Sequence, residues 1–250
     1  MRRSPHQDES RPPQEGHGML LLDCYQHLEW ASVMGGPKVP IVPTLSYWDN
    51  DIDVVRGEEH LRVVLLREDG RSKRTTATCC FSTLMVDHPG YNGVMFMLFE
   101  EACRIQDDDP DVPPTKTRPA ESRIYFKDFD TSRGKLPEFG GDPSRVHQTC
   151  CPKYINGWNS KSSPTFENPS GEKIQSLFER IPQMILGLEE GKRILSRSDC
   201  PVGSNKQNNV PILLVQPEPL LDPNPFQDKG APLRFRFFNG FQLLPILHNF

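Results

Sequence analysis

The central part of the chain carries the hydrophobic pattern of paired β-strands. Residues 61–67 are rich in branched apolar side chains and are short enough for a single strand. An Asp69-Gly70 pair follows, and this dipeptide favours the tight turn of a β-hairpin. We therefore predict a strand at 61–67 that pairs with a second strand at 74–80.

A second hairpin is predicted from residues 82–86 and 94–99, because both runs are apolar and the turn-forming residues of 89–93 separate them. Residues 39–48 combine β-branched side chains with two prolines, which suits an edge strand or an extended loop. A short last strand is expected at 123–126. Together these segments predict one β-rich unit at residues 19–141 and a mainly β fold.

The pattern changes after residue 141. Residues 142–170 resemble a linker, whereas apolar side chains recur at helical spacing within 171–195 and predict an amphipathic helix that is kinked at Pro182. Residues 196–250 contain eight of the 25 prolines and end in an aromatic cluster. This irregular tail is either a proline-interrupted strand that covers a sheet edge or a poorly ordered extension.

The composition of the chain predicts a disordered segment at residues 1–18 and limits the kinds of partner that we expect. Residues 1–18 carry three prolines, six charged residues and no apolar residue after Met1, which is typical of a disordered arm. The net charge is −4 and the pI is about 6.0, so we expect no nucleic-acid partner. No apolar run approaches the roughly 20 residues of a membrane span, and no signal peptide is recognisable, so we expect a cytoplasmic protein without a membrane partner.

Seven cysteines raise the question of metal binding, because thiols stay reduced in the cytoplasm. Cys24 and His27 have the CxxH spacing at which two side chains can hold one Zn²⁺, and Cys80 would add a third ligand. Neighbours along a strand point to opposite faces, so only one of Cys79 and Cys80 would face such a site. Spacing alone leaves two interpretations open, a zinc site or ordinary buried thiols.

Several segments occur in an order that matches a known family. They are YWDND at 47–51, VRG at 55–57, REDGRSKR at 67–74, ATCCFSTL at 77–84, RIYFKD at 123–128 and LPEF at 136–139. In sequence and in order they resemble the glutathione-dependent formaldehyde-activating enzymes, also called the Gfa or centromere-protein-V type. The resemblance covers residues 20–141, about half of the chain.

The resemblance implies a Mss4-like fold of several small coiled antiparallel sheets. It also implies carbon–sulfur lyase activity on a glutathione–aldehyde adduct, with Zn²⁺ polarising the carbon that is transferred between sulfur and water. The implied ligands are Cys24, His27 and one or both of Cys79 and Cys80. The family's opening CxC motif has no counterpart, because the first 23 residues contain no cysteine, so we expect at most one Zn²⁺.

Two functions are therefore expected as alternatives. One is a zinc-dependent lyase for adducts of the S-hydroxymethylglutathione type, and the other is a non-catalytic β domain that serves binding or assembly. His88 is an additional ligand candidate, although its place before Pro89 also suits capping of a turn. Trp30 and Trp48 would either line an adduct pocket or belong to the core. The sequence contains no nucleotide-binding, HExxH or GxSxG motif.

Overall fold

A computed structural model describes residues 16–50, 52–91, 93–106, 120–150, 172–201, 234–237 and 241–245. These residues form two α-helices, α1 (Leu22–Val33) and α2 (Ile174–Arg180), and several single turns of 3-10 helix. They also form twelve strands: β1 (Gly16–Met19), β2 (Thr44–Asp49), β3 (Ile52–Arg56), β4 (Leu61–Leu65), β5 (Lys73–Ala77), β6 (Ser82–Asp87), β7 (Met95–Phe99), β8 (Cys103–Gln106), β9 (Ser122–Ile124), β10 (Gln183–Ile185), β11 (Arg234–Phe237) and β12 (Phe241–Pro245).

Eight of these strands form one mixed sheet in the order β10-β4-β5-β6-β7-β2-β1-β9. The six strands from β4 to β1 pair antiparallel with their neighbours, whereas β10 joins β4 and β9 joins β1 in parallel. The mainly β fold class is thereby confirmed. The finer assignment to a Mss4-like fold stays a prediction.

Both predicted hairpins are present in the main sheet. β4 and β5 pair with Leu61 opposite Ala77, and the Asp69-Gly70 turn is closed by the amide of Gly70, which donates to the carbonyl of Arg67. β6 and β7 pair with Met85 opposite Leu98. These hairpins follow from local signals, because a turn dipeptide and two short apolar runs specify the pairing without help from distant residues.

The end of the chain contributes to a second sheet. β11 and β12 form a hairpin between β3 and β8, which gives the antiparallel order β3-β11-β12-β8. Residues 234–237 and 241–245 of the tail are therefore strands, as one of the two interpretations expected, but they lie in the centre of this sheet and not at its edge. The β-rich architecture accordingly extends beyond the predicted boundary at residue 141.

Helix α1 is the main element that the sequence pattern does not predict. Its buried side chains include three polar ones, which blur the apolar periodicity on which helix prediction depends. They are Gln26, His27 and Glu29. The helix packs against the main sheet and presents Cys24 and His27 to it, so two of the four predicted metal ligands lie on a helix within the unit expected to be β.

Two predicted boundaries are wrong. The helix expected at 171–195 ends at Arg180, because Pro182 cannot continue it, and the chain then enters β10 beside β4. Residues 16–18 of the expected disordered arm belong to β1, where the buried ring of His17 bonds to the hydroxyl of Ser122. Residues 143–145 of the expected linker form a 3-10 turn. The rest of the arm, residues 1–15, and residues 151–171 lie outside the described part of the chain.

The core covers both faces of the main sheet. Along β4, Val63 and Leu65 belong to the larger cluster, which includes the apolar face of α2, while Val64 packs into the smaller cluster around Trp30 of α1. This division follows from the alternation of side chains along a strand. Among the described residues, no helix has the length and apolar character needed to cross a membrane.

Candidate functional site

A cavity of about 620 Å³ lies between the first turn of α1 and strands β5, β6 and β7. Its volume falls within the roughly 300–1,000 Å³ that is usual for small-molecule sites. The wall is partly apolar and partly cationic and phenolic. The lining residues are Met19, Leu21, Asp23, Cys24, Tyr47, Arg67, Asp69, Gly70, Arg71, Ser72, Arg74, Val86, His88, Gly90, Tyr91, Met97, Tyr125, Cys150 and Glu190.

Arg74 is the most unusual residue of the lining. It lies in β5 between Val64 of β4 and Val86 of β6, and it is only 1% exposed. Its Nη1 donates a long hydrogen bond of 3.4 Å to the carbonyl of Ser72. Its Nε and Nη2 atoms have no hydrogen-bond partner among the residues that the structure describes. A buried guanidinium whose donors are not satisfied by the described residues is costly, so the Nε and Nη2 edge of Arg74 favours a hydrogen-bond acceptor.

The charges near the entrance of the cavity are largely balanced. Arg67 Nη2 lies 2.5 Å from Asp23 Oδ1, and Arg67 Nη1 also donates to the side-chain oxygen of Gln26. Asp69 and Glu190 are further acids on the lining, and Arg71 is a further base. Arg67 is therefore already paired. Arg74 is the buried cation of this lining that has no counter-ion among the described residues.

Cys24 lies in the same cavity, on the face of α1 that packs against β5. Burial raises the pKa of the Cys24 thiol, and the Arg74 guanidinium opposes this rise through its charge and through a weak hydrogen bond to the sulfur, without cancelling it. The thiol is therefore neutral at pH 7. Buried thiols that are kept neutral react slowly as nucleophiles, so the position of Cys24 favours a role in binding over covalent chemistry.

Phenol groups complete the polar part of the wall. Tyr91 donates to the sulfur of Met97 at 2.8 Å and packs edge-on against Tyr47. Burial raises the pKa of Tyr91 well above its usual value and that of Tyr125 to about 12, so both phenols keep their protons. Tyr125 also has a positive φ of 59°, a backbone conformation that is uncommon for residues other than glycine and is often found at functional sites.

His88 has the turn-capping role that the sequence offered as one of its two interpretations. Its Nδ1 accepts a hydrogen bond from the amide of Gly90 at 2.9 Å, which closes the turn after β6. Burial lowers the pKa of His88, and the nearby Arg71 lowers it further. The ring is therefore neutral at pH 7 and adds polarity but no charge to the cavity wall.

The four predicted zinc ligands lie in different surroundings. Cys24 faces the cavity, while the buried His27 ring is bonded through Nε2 to the hydroxyl of Thr76 at 2.9 Å. Cys79 and Cys80 lie in the turn between β5 and β6 rather than within a strand, and their sulfurs are 3.8 Å apart. The expectation that adjacent cysteines point to opposite faces is therefore wrong, because it assumed a strand.

These ligands do not fit a closed zinc site. Within the described ranges, no three His, Cys, Asp or Glu side chains are grouped closely enough to hold a metal ion. The predicted set of Cys24, His27, Cys79 and Cys80 thus stays a prediction, and no reaction step is derived through zinc. Burial lowers the pKa of His27 well below its usual value, with a smaller contribution from Arg74, so its ring is neutral.

Trp30 and Trp48 are surrounded by residues of the hydrophobic core. Trp30 packs edge-on against Phe81 in the smaller core cluster, and Trp48 donates from its indole nitrogen to the hydroxyl of Ser46. Neither belongs to the lining of the large cavity as far as the structure describes it. The core interpretation of both tryptophans therefore agrees with their contacts.

Sequence reasoning identified Cys24 but not Arg74. A signal was present, because β5 reads Lys-Arg-Thr-Thr-Ala and lacks the apolar runs found in its neighbours β4 (residues 63–65) and β6 (residues 84–86). Four of its five residues are buried, which is unusual for so polar a strand. A polar strand in the middle of a sheet thus marks an internal polar site.

No family model, no curated protein and no solved structure matches this chain. The chemistry of the cavity is therefore inferred from its own geometry.

Proposed function

We propose that the chain binds a small organic carboxylate in the large cavity, with Arg74 as its charged anchor. The observation that carries the proposal is the pair of unpartnered atoms on that side chain, Nε and Nη2. These two nitrogens form one edge of the guanidinium, and their parallel N–H groups match the two oxygens of a carboxylate. The remaining nitrogen, Nη1, is directed to the Ser72 carbonyl.

The rest of the wall supports a ligand with a polar end and an apolar body. Tyr91 and Tyr125 keep their protons, so neither phenol adds a negative charge that would repel an anion. Met19, Val86 and Met97 supply apolar surface within the same cavity. A binding function agrees with this arrangement better than thiol catalysis does, because the buried Cys24 is neutral and a bound anion would raise its pKa further.

A glutathione-type molecule belongs to the ligand class proposed here. It carries two carboxylates, and the family resemblance of residues 20–141 implies a glutathione adduct as ligand. Arg71 provides a second cation on the lining, without an ion pair among the described residues. The non-catalytic alternative of the sequence analysis, a β domain that serves binding or assembly, is therefore favoured in its binding form.

Calorimetric titration tests the proposal directly. The probes are glutathione and succinate, and glutathione diethyl ester serves as a ligand in which both carboxylates are masked. We expect the acids to bind more tightly than the ester, and Arg74→Gln to weaken acid binding about tenfold or more, because charge-assisted bidentate bonds are lost. The matched control is Arg62→Gln in the adjacent strand β4, since Arg62 bonds to backbone carbonyls outside the cavity.

Two results would contradict the proposal. One is that the wild-type protein binds neither acid, or binds the ester equally well. The other is that Arg74→Gln keeps wild-type affinity while circular dichroism shows that it is folded. Equal losses in Arg74→Gln and Arg62→Gln would indicate a general effect on the sheet and not a specific anchor.

A second candidate, zinc binding at the turn between β5 and β6, is supported by one distance. Two thiolates on a tetrahedral Zn²⁺ with Zn–S bonds of about 2.3 Å lie about 3.8 Å apart. The sulfurs of Cys79 and Cys80 have this separation, at which the Cys79 thiol also donates a hydrogen bond to the Cys80 sulfur, and Cys79 is exposed. The carbon–sulfur lyase activity implied by the family resemblance would require further ligands, and metal analysis is its first test.

A further inference from the structure

We infer that the chain has a second ligand site, which takes a small apolar carboxylate and is centred on Arg133. The site is a cavity of about 250 Å³ between the last turns of α1, the loop at residues 38–41 and residues 193–195. Its lining shares no residue with the larger cavity around Arg74. The inference therefore stands independently of the proposed function.

The first supporting observation is the state of the Arg133 side chain, which is 4% exposed. Its guanidinium stacks on the ring of Tyr25, with 4.1 Å between the central carbon and the ring centroid. Nη1 is bonded to Glu29, whereas Nε and Nη2 have no hydrogen-bond partner in the described part of the chain. The unpartnered edge is again the one that binds a carboxylate through two parallel bonds.

The second observation is the local balance of charge. Glu29 is the acid on this lining, and both of its oxygens are already used. Oε1 accepts from Arg133 and from Arg193 Nε at 2.6 Å, and Oε2 accepts from the amide of Ile194 at 3.0 Å. Lys38 adds a third cation to the lining. Arg193 Nη1 also lies 3.4 Å from Asp130 Oδ2, so three cations face two carboxylates, and the excess positive charge favours an anion.

The third observation defines the rest of the ligand. Ile41 is 37% exposed and Leu195 is 72% exposed, and both line this cavity. Val55 is the other large hydrophobic residue that is exposed in the described ranges, so two of the three lie at this site. An anion with an apolar body would cover Ile41 and Leu195 while its carboxylate meets Arg133.

The size of the cavity limits the kinds of carboxylate ligand that it can hold. A volume of about 250 Å³ equals about eight waters at the roughly 30 Å³ that each occupies in the liquid. This space suits a single ring or a short branched chain that carries one carboxylate. The Tyr25 hydroxyl does not compete for the ligand in the present conformation, because it donates to the carbonyl of Ile41 at 2.5 Å.

Benzoate is the probe for this site, and benzamide is its uncharged counterpart. Protein-observed NMR titration at constant ionic strength should show that benzoate binds at least about tenfold more tightly than benzamide. Because Arg74 offers a similar edge, the titration is run in the Arg74→Gln variant as well as in the wild-type chain. Retention of benzoate binding in Arg74→Gln is the expected result.

A substitution at the exposed mouth of the cavity tests benzoate binding without changing a buried residue. Leu195→Glu places a negative charge at the mouth without disturbing the core, and it should weaken benzoate binding about fivefold or more. Val55→Glu is the matched control, because it makes the same kind of change at an exposed residue of β3 and should leave affinity unchanged. Arg133→Gln should abolish binding if the variant folds.

The inference is overturned if benzoate binds no better than benzamide, or if Leu195→Glu and Val55→Glu bind benzoate equally well. It is also overturned if Arg74→Gln alone removes all benzoate binding, since the large cavity would then be the carboxylate site. Binding that is lost in Leu195→Glu but kept in Arg74→Gln supports the second site, whatever the outcome of the glutathione titrations.

Discussion

Replacing Arg74 by methionine should stabilise the protein while it removes ligand binding. Methionine keeps an unbranched apolar stem of similar length, so the packing in β5 between Val64 and Val86 is largely retained. The change removes a buried charge whose Nε and Nη2 atoms lack partners among the described residues. Exchanging buried charged groups for apolar ones of similar volume is often stabilising by about 1–4 kcal/mol.

The expected change in the free energy of unfolding follows from the hydrogen-bond donors of Arg74 that the substitution removes. Nε carries one N–H and Nη2 carries two, and each unsatisfied buried donor costs about 1–3 kcal/mol before any hydration from the cavity. The hydrogen bond that is lost, from Nη1 to the Ser72 carbonyl, is long at 3.4 Å and contributes less than a usual bond of about 1 kcal/mol. Water in the cavity will satisfy part of the demand, so we expect a net gain of about 1–3 kcal/mol in the free energy of unfolding.

Equilibrium urea denaturation in a buffer without carboxylates provides the measurement. A higher midpoint with an unchanged slope would confirm the gain, because the slope reports the surface exposed on unfolding. Arg62→Met in β4 is the control, and it should be neutral or slightly destabilising because its donors are already bonded to Glu59 and Leu61. A loss of about 1 kcal/mol or more in Arg74→Met at constant slope would refute the reasoning, since it would mean that the guanidinium is satisfied inside the protein.

Three further results are expected. Burial raises the pKa of Glu101 to about 7 from an ordinary value of 4.5, so stability should fall as the pH rises from about 4.5 through 7, and Glu101→Gln should remove this part of a pH series of denaturation curves. An unchanged pH slope in that variant would contradict the assignment. Metal analysis of protein purified without added zinc should find at most one Zn²⁺ per chain, and Cys79→Ser and Cys80→Ser should each lose it if the turn is the site. Zinc retained in both variants would exclude the turn, and two equivalents would show that the ligands are mispaired. Deletion of residues 1–18 should destabilise the protein by about 2 kcal/mol or more, because it removes most of β1 from between β2 and β9, whereas deletion of residues 1–15 should have little effect. Equal unfolding midpoints for the two deletions would show that β1 contributes little.

The hairpins could be predicted from the sequence because their information is local. The Asp69-Gly70 turn and the apolar runs beside it specify the pairing of β4 with β5. Helix α1 could not be predicted in the same way, since the reason for burying its polar residues lies far along the chain. Gln26 donates to the carbonyls of Glu189 and Lys192, which are more than 160 residues away.

The residues of the candidate site also differ in whether a local sequence signal identifies them. Cys24 could be selected because its residue type and its spacing to His27 suggest chemistry. Arg74 and Arg133 could not, because an arginine becomes informative only when its surroundings bury it and leave donors unpaired. The Cys79–Cys80 pair was assigned to opposite faces because a strand was assumed to extend to residue 80, whereas β5 ends at Ala77.

The two parallel pairs at the ends of the main sheet have a consequence for folding kinetics. β1 and β9 are joined across a wide sequence gap, as the contact between His17 and Ser122, 105 positions apart, illustrates. The outer strands therefore form late, because closing such long loops costs entropy before any contact is gained. The β4–β5 and β6–β7 hairpins close over short loops, so we expect them to form before the outer strands β9 and β10 join the sheet.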